Sequence, residues 1–335
     1  MQITGLETGR TGQAWHRPLL VMVAAMTGLV IAAAIGLVVD GRTLAHESIW
    51  AKPLKFGVSF VIYGVTLAWL LPQLKRARRT MWTMGTLFAI TGIVDVGFIA
   101  LMAARGTYSH FNADDTDFIN VIGQQIFQSG VIGLFGVSLV IAIAMLWQRI
   151  GDKGLTRALR AGIGLAVAGM AVAFAIVPMS GERTALDANG RSVPMAGGHG
   201  IGVPDGGGMP VTNWSTVGGD LRVPHFVGLH AVQVFVLAVV VFAMLGTRVS
   251  WLRDEKARAG LVGAVVVGYA GLFAVTAWQA IRGQSLVHPD GDTLLVAGGV
   301  LVAAAAVAAL TVLRARHRTQ METTTQPIPV LVRQG

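Results

Sequence analysis

Eight stretches of about twenty apolar residues, separated by polar turns, constrain this chain more than anything else in it. They lie at Leu19–Val39, Leu54–Leu74, Met81–Ala104, Val121–Trp147, Leu159–Pro178, Phe226–Leu245, Leu261–Ile281 and Leu294–Leu313. Each is close to the ~20 residues that a helix needs to cross ~30 Å of hydrocarbon. Lipid offers no hydrogen-bond partners, so a spanning backbone satisfies itself as helix. The charge content agrees: 13% of the 335 residues are Asp, Glu, Lys or Arg, against roughly 25% in soluble domains. The first apolar run is longer than the 7–15 residues of a signal peptide core and reads as a retained anchor. The expected fold is all-α, a polytopic transmembrane bundle of eight spans.

Charge sets the direction. With the N-terminus inside, the cytoplasmic segments hold 18 basic and 5 acidic residues (+13), and the outer segments hold 8 and 11 (−3), with Asp95 left inside a span. The densest inner turn is Lys75, Arg76, Arg78 and Arg79. This is the positive-inside pattern, and it places both termini in the cytoplasm. The formal +9 would suggest nucleic acid for a soluble protein. Here it is loop charge, no nucleic-acid partner is expected, and the partner is the lipid bilayer. Ala, Gly and Val abundance with Arg over Lys points to a bacterial source, hence a multi-pass protein of the bacterial cytoplasmic membrane.

Two outer loops match. One reads Arg105-Gly106-Thr107-Tyr108-Ser109-His110 and then Asp114-Asp115-Thr116. The other reads Arg282-Gly283-Gln284-Ser285, then His288, Asp290 and Asp292-Thr293. Pro53-Leu54-Lys55-Phe56 and Pro224-His225-Phe226 open the second and sixth spans alike. The pattern suggests a four-plus-four parallel duplication, with one half at 1–150 and the other at 151–318. A polar tail, 319–335, is expected to be disordered. The single long connection, Ser180 to Val223, is Gly-rich and carries Asp205. Its length suits a lid or binding loop better than a linker.

The chain has no cysteine, which excludes disulfides, thiolate zinc sites and iron–sulfur clusters. A divalent metal or a haem would need other ligands. Six of eight histidines fall outside: His46, His110, His199, His225, His230 and His288. His110, His225 and His230 are the candidate ligands or acid–base groups, with Asp220 and Arg222 to orient them. On one continuous helix, His225 and His230 would point ~140° apart. Lys52 and Lys55 sit at a helix N-terminus, where the macrodipole favours anions. Glu47, a lipid phosphate or an anionic substrate could answer them, or they could snorkel to the headgroups. With Arg105 and Arg282 they form the candidate anion-binding set. Asp95 is the one acid deep in a span, which is costly. It could be protonated, pair with Arg105, or line a cavity together with Gln124, Gln125, Gln128, Gln233 and Gln279.

Trp50-Ala51-Lys52-Pro53-Leu54-Lys55-Phe56, Ser109-His110-Phe111-Asn112, Asn213-Trp214-Ser215 and Gly218-Gly219-Asp220-Leu221-Arg222 with His225-Phe226 and Gly228-Leu229-His230 resemble motifs of a family of bacterial eight-helix integral membrane proteins. That resemblance covers most of the chain and carries no activity with it. The plan is also similar in architecture to haem A synthases, which place ligand histidines on paired helices of each half. The fourth and eighth spans here contain none.

Three functions follow as expectations. The first is an outward-facing histidine site, holding a metal or haem, that acts on a membrane-soluble or anionic small molecule or lipid. The second is a small-molecule or ion transporter. The third is a non-catalytic subunit or assembly partner of a membrane complex. The shared premise is testable: reporter domains fused after Arg79 and after Asp115 should report opposite sides of the membrane, and the same side for both would refute the topology.

Overall fold

A computed structural model describes residues 14–179, 181–203 and 207–324. Within them the chain is mostly helical: α1 (Arg17–Val39), α2 (Ala51–Leu70, continued by a 3-10 turn at Leu71–Gln73), α3 (Arg78–Ala104), α4 (Phe118–Leu146), α5 (Lys153–Met179), α6 (Arg222–Leu229), α7 (Ala231–Gly246), α8 (Glu255–Ile281) and α9 (Gly291–Thr324). Seven of these helices are long and apolar enough to cross a membrane, and the bent pair α6–α7 makes eight if counted as one. This is the make-up of a multi-pass membrane protein.

Two expectations about the spans need correction. The sixth is not one straight helix: α6 and α7 meet at a 43° bend around His230, whose backbone sits at φ −89°, ψ 4°. Kinks commonly occur beside glycine, and Gly228 is two residues away. There α6 presses so closely on α5 that a Cβ on Gly228 would lie 2.6 Å from the Gly169 Cα. The eighth span overruns its expected end, and helix continues through 319–324 of the supposed tail. Residues 325–335 lie outside the described residues, as do Ser180 and Asp205.

Side chains from α1 to α5 form the larger core, with Met22 and Met26, Leu67 and Leu70, Phe88 and Val96, Ile141 and Leu159, joined by Val232 of α7. A second core joins Ala158, Ala231, Phe235 and Val262 of α5, α7 and α8. Close approach relies on small residues, as is usual between membrane helices: Gly64 meets Met22 and Val23, and Gly260 and Gly271 meet Thr311 and Val300. α1 packs on α2 and α3, α2 on α3, and α3 on α4. In the same way α5 packs on α6, α7 and α8, α7 on α8, and α8 on α9. Leu295, Leu301 and Val302 of α9 are exposed, as lipid-facing residues are.

α3 and α8 end alike. Each stops at an arginine, Arg105 or Arg282, followed by a glycine in the left-handed region, Gly106 (φ +74°) or Gly283 (φ +73°). Gly106 donates to the Ala103 carbonyl and Thr107 to Met102, while Gly283 donates to Ala280 and Gln284 to Gln279. This is the glycine-capped helix end that closes otherwise orphaned carbonyls. Each arginine then pairs with the aspartate at the start of the next helix: Arg105 with Asp117 at 2.7 Å, and Arg282 with Asp290. Those aspartates accept the amides of Ile119 and Thr293.

All strands lie at the end of the bundle that bears the long loop. β1 (Thr43–Leu44) pairs with β2 (Glu47–Ser48), β3 (Glu182–Leu186) with β4 (Ser192–Ala196), and β5 (Gly200–Ile201) with β6 (Gly219–Asp220), each antiparallel. The long loop is thus a built element. Its hairpin is tied to the α3–α4 loop through Ala113 N to Pro194 O, Ala196 N to Phe111 O and Ala188 N to Gly106 O. Further along, Asn213 Nδ2 donates to Ala45 O at 3.0 Å and Ser285 Oγ to Ser215 O at 3.1 Å.

Replacing Gly106 with Ala forces a Cβ into the left-handed region, which costs about 1–2 kcal/mol, and sets that Cβ 3.0 Å from Asn189 Nδ2 in the loop. The melting temperature in detergent should fall clearly. Gly97→Ala, where nothing lies within 4 Å, should leave it unchanged or raised. Equal melting temperatures for Gly106→Ala and wild type would contradict the cap.

Candidate functional site

Ionisable groups converge beneath the long loop. α2 contributes Lys52, Lys55, Phe56 and Ser59. The α3–α4 loop contributes His110 and Phe111, the long loop His199, and α6 contributes Arg222 and His225, with His230 at the bend. The His110 ring lies 4.4 Å from Phe127, 5.9 Å from Phe56 and 6.3 Å from His199 between centroids. Its Nδ1 is 3.2 Å from Ser109 Oγ, and Gln124 Nε2 donates to Ser109 O at 3.1 Å, bracing that turn from α4. Phe111 is held at φ +59°, an uncommon conformation for a bulky residue. Its pairing with Ala196 fixes it there, with its ring 4.9 Å from His199.

His225 and His230 have separate duties. His225 Nδ1 sits 2.8 Å from the Gly169 carbonyl of α5, so the Gly169–Gly228 contact also sets its ring. His230 lies deeper, its Nε2 3.5 Å from Ser59 Oγ and its ring stacked on Phe226. One turn further in, both amide atoms of Gln233 are buried without a partner among the described residues. Among those residues no group of three or more His, Asp or Glu could hold a metal ion, so His110, His225 and His230 do not come together as a ligand set.

The basic candidates sort cleanly by partner. Lys55 Nζ pairs with Glu47 at 2.8 and 3.1 Å, the internal answer that the sequence offered. Arg222 grips Asp220 at 2.6 to 3.1 Å. Asp220 also accepts the Ser215 amide, so its carboxylate braces the loop. Arg105 and Arg282 belong to their helix-capping aspartates, and Arg282 also lies 4.4 Å over the Trp278 ring. Arg105 is therefore no partner for Asp95, which sits apart at the α3–α4 contact. Lys52 alone of the five has no hydrogen bond or ion pair among the described residues.

Burial foremost, then the Lys52 charge, holds His110 well below the ordinary histidine value. Burial, Arg222 and Lys52 do the same to His199. Both rings are neutral at neutral pH, and the Nδ1 of His199 is buried without a partner among the described residues. A neutral imidazole accepts at one ring nitrogen and donates at the other, and an anion that offset the neighbouring cations would raise its proton affinity. Nothing in the sequence marks His199 as a site residue, because a Gly-rich loop says nothing of where it folds. Ser59 and Phe127 carried no signal beyond their helical spacing.

Comparison with protein-family models, with curated proteins and with solved structures finds no match. The site's own chemistry therefore carries the functional reading.

The neutral histidines predict the acid response. Below about pH 6.5 the unfolded chain protonates both rings and the folded chain does not, so stability falls as pH drops from there towards the folded values. Melting in detergent between pH 7 and 5 should show a downward slope that His110→Gln with His199→Gln flattens. An unaltered slope would mean that the rings are not buried.

Proposed function

We propose that this protein binds an anionic, membrane-soluble molecule in a loop-covered site at the extracytoplasmic end of its bundle, with neutral histidines placed for proton transfer to or from it. One observation carries the reading: Lys52, set at the start of α2 among His110, His199 and Arg222, has no carboxylate of its own, whereas Lys55, Arg105, Arg222 and Arg282 each have one. Glu47 attracts Lys52 only from a distance, its oxygens held by Lys55; a half-buried cation with no carboxylate in contact is costly, and an anionic ligand would supply what is lacking. Phe56, Phe127 and Phe226 give an apolar wall for the rest of such a molecule. The reading requires neither metal nor haem.

The basic turns at the opposite end favour a cytoplasmic position for that end and for both termini, in a bacterial cytoplasmic membrane. The shared helix pairing of the two halves, and their matching Arg-Gly ends with Arg–Asp pairs, favour a four-plus-four duplication. A transporter is the second reading. It is favoured by the bend at His230, since discontinuous helices often mark substrate sites in transporters. In this reading Ser59, His230 and Gln233 line the inward continuation of the same site.

The probe is phosphatidylglycerol against phosphatidylcholine, with binding to the purified full-length protein read by native mass spectrometry. Wild type should prefer the anionic lipid. Lys52→Met should weaken that binding by about tenfold, the worth of one charge-assisted hydrogen bond, and Lys55→Met much less, because Glu47 already occupies that ammonium. Indifference to Lys52→Met would end the proposal.

A further inference from the structure

Asp95 stands apart from the histidine site and has an environment of its own. It lies within α3, is 3% exposed, and neither carboxyl oxygen has a hydrogen-bond partner among the described residues. The group is pressed against Gly130 of α4, where any Cβ would run into it. The charged and titratable groups on the elements packed around α3 are few. α4 has none between Phe118 and Leu146. α1 has Arg17, capped by His16, whose Nε2 is engaged with the Trp82 carbonyl. α2 has Lys52 and Lys55 at its start, and Tyr63, whose ring stacks on Phe88. α3 itself adds Arg78 and Arg79 at its far end. No hydrogen bond or ion pair joins any of these to Asp95 among the described residues.

An ionised carboxylate without a partner between two apolar helices is far costlier than a carboxyl that keeps its proton. We infer that Asp95 is a proton-binding site inside the membrane: a carboxylic acid sheltered by Gly130, which exchanges its proton when the α3–α4 contact loosens enough to admit water. A metal cation fits the place poorly, since hard cations gather several oxygen ligands and α4 presents a glycine Cα there. The inference is independent of any role for Lys52.

A hydrophobic carbodiimide tests it on the full chain in liposomes. The acid's proton passes to one carbodiimide nitrogen while the carboxyl oxygen adds to the central carbon, and the adduct rearranges to a stable N-acylurea. Peptide mass spectrometry of wild type should find dicyclohexylcarbodiimide on Asp95, with labelling that slows several-fold as the pH is raised from 6 to 9. Asp95→Glu should retain the label, and Asp95→Asn should lose it. A water-soluble carbodiimide should label exposed Asp115 and spare Asp95. Three results would overturn the inference: folded wild type unlabelled at Asp95, Asp95 labelled by the water-soluble reagent as fast as Asp115, or protection by sodium at constant pH, which would assign the site to a metal cation.

Discussion

Hydrocarbon supplies no hydrogen bonds, and each level of this structure follows from that. The backbone closes on itself as helix, and the helix ends need caps. Two of those ends receive the same one, an arginine and a left-handed glycine braced by the aspartate of the following helix. Polar side chains collect under the long loop, where they find one another. The buried side-chain atoms without a partner among the described residues, on Asp95, Ser138, Gln233 and Nδ1 of His199, stand out because an unpartnered polar group costs so much more in such surroundings than in water.

The same constraint explains what could be read from the sequence. Long apolar runs forecast all the long helices to within a few residues at most ends, because span length is fixed by membrane thickness and not by tertiary packing. The bend at His230 is not legible in the sequence: Gly228 beside it packs on Gly169 of α5, and a lone Gly within an apolar run carries no sign of its partner. The overrun of α9 into 319–324 is hidden for a related reason: polar composition marks the end of hydrocarbon and not the end of helix.

At the site the sequence supplied residue types and the fold supplied relations. Lys52 and Lys55 looked equivalent three residues apart. Their separate fates rest on the β1–β2 turn, which delivers Glu47 to one of them only. Arg105 is one of the answers that the sequence offers Asp95, but the cap of α4 takes the arginine. His199 carried little signal in its glycine-rich setting, and became part of the site only through the pairing of β5 with β6 and of β4 with the turn at Phe111.

The long loop follows α5, yet its hairpin hydrogen-bonds to the α3–α4 loop and its later part reaches Ala45 and Ser285. It therefore works as a strap between α1–α4 and the helices that follow. Any movement of α1–α4 away from α5–α9 at that end would shear those bonds together, so the strap resists wide separation there.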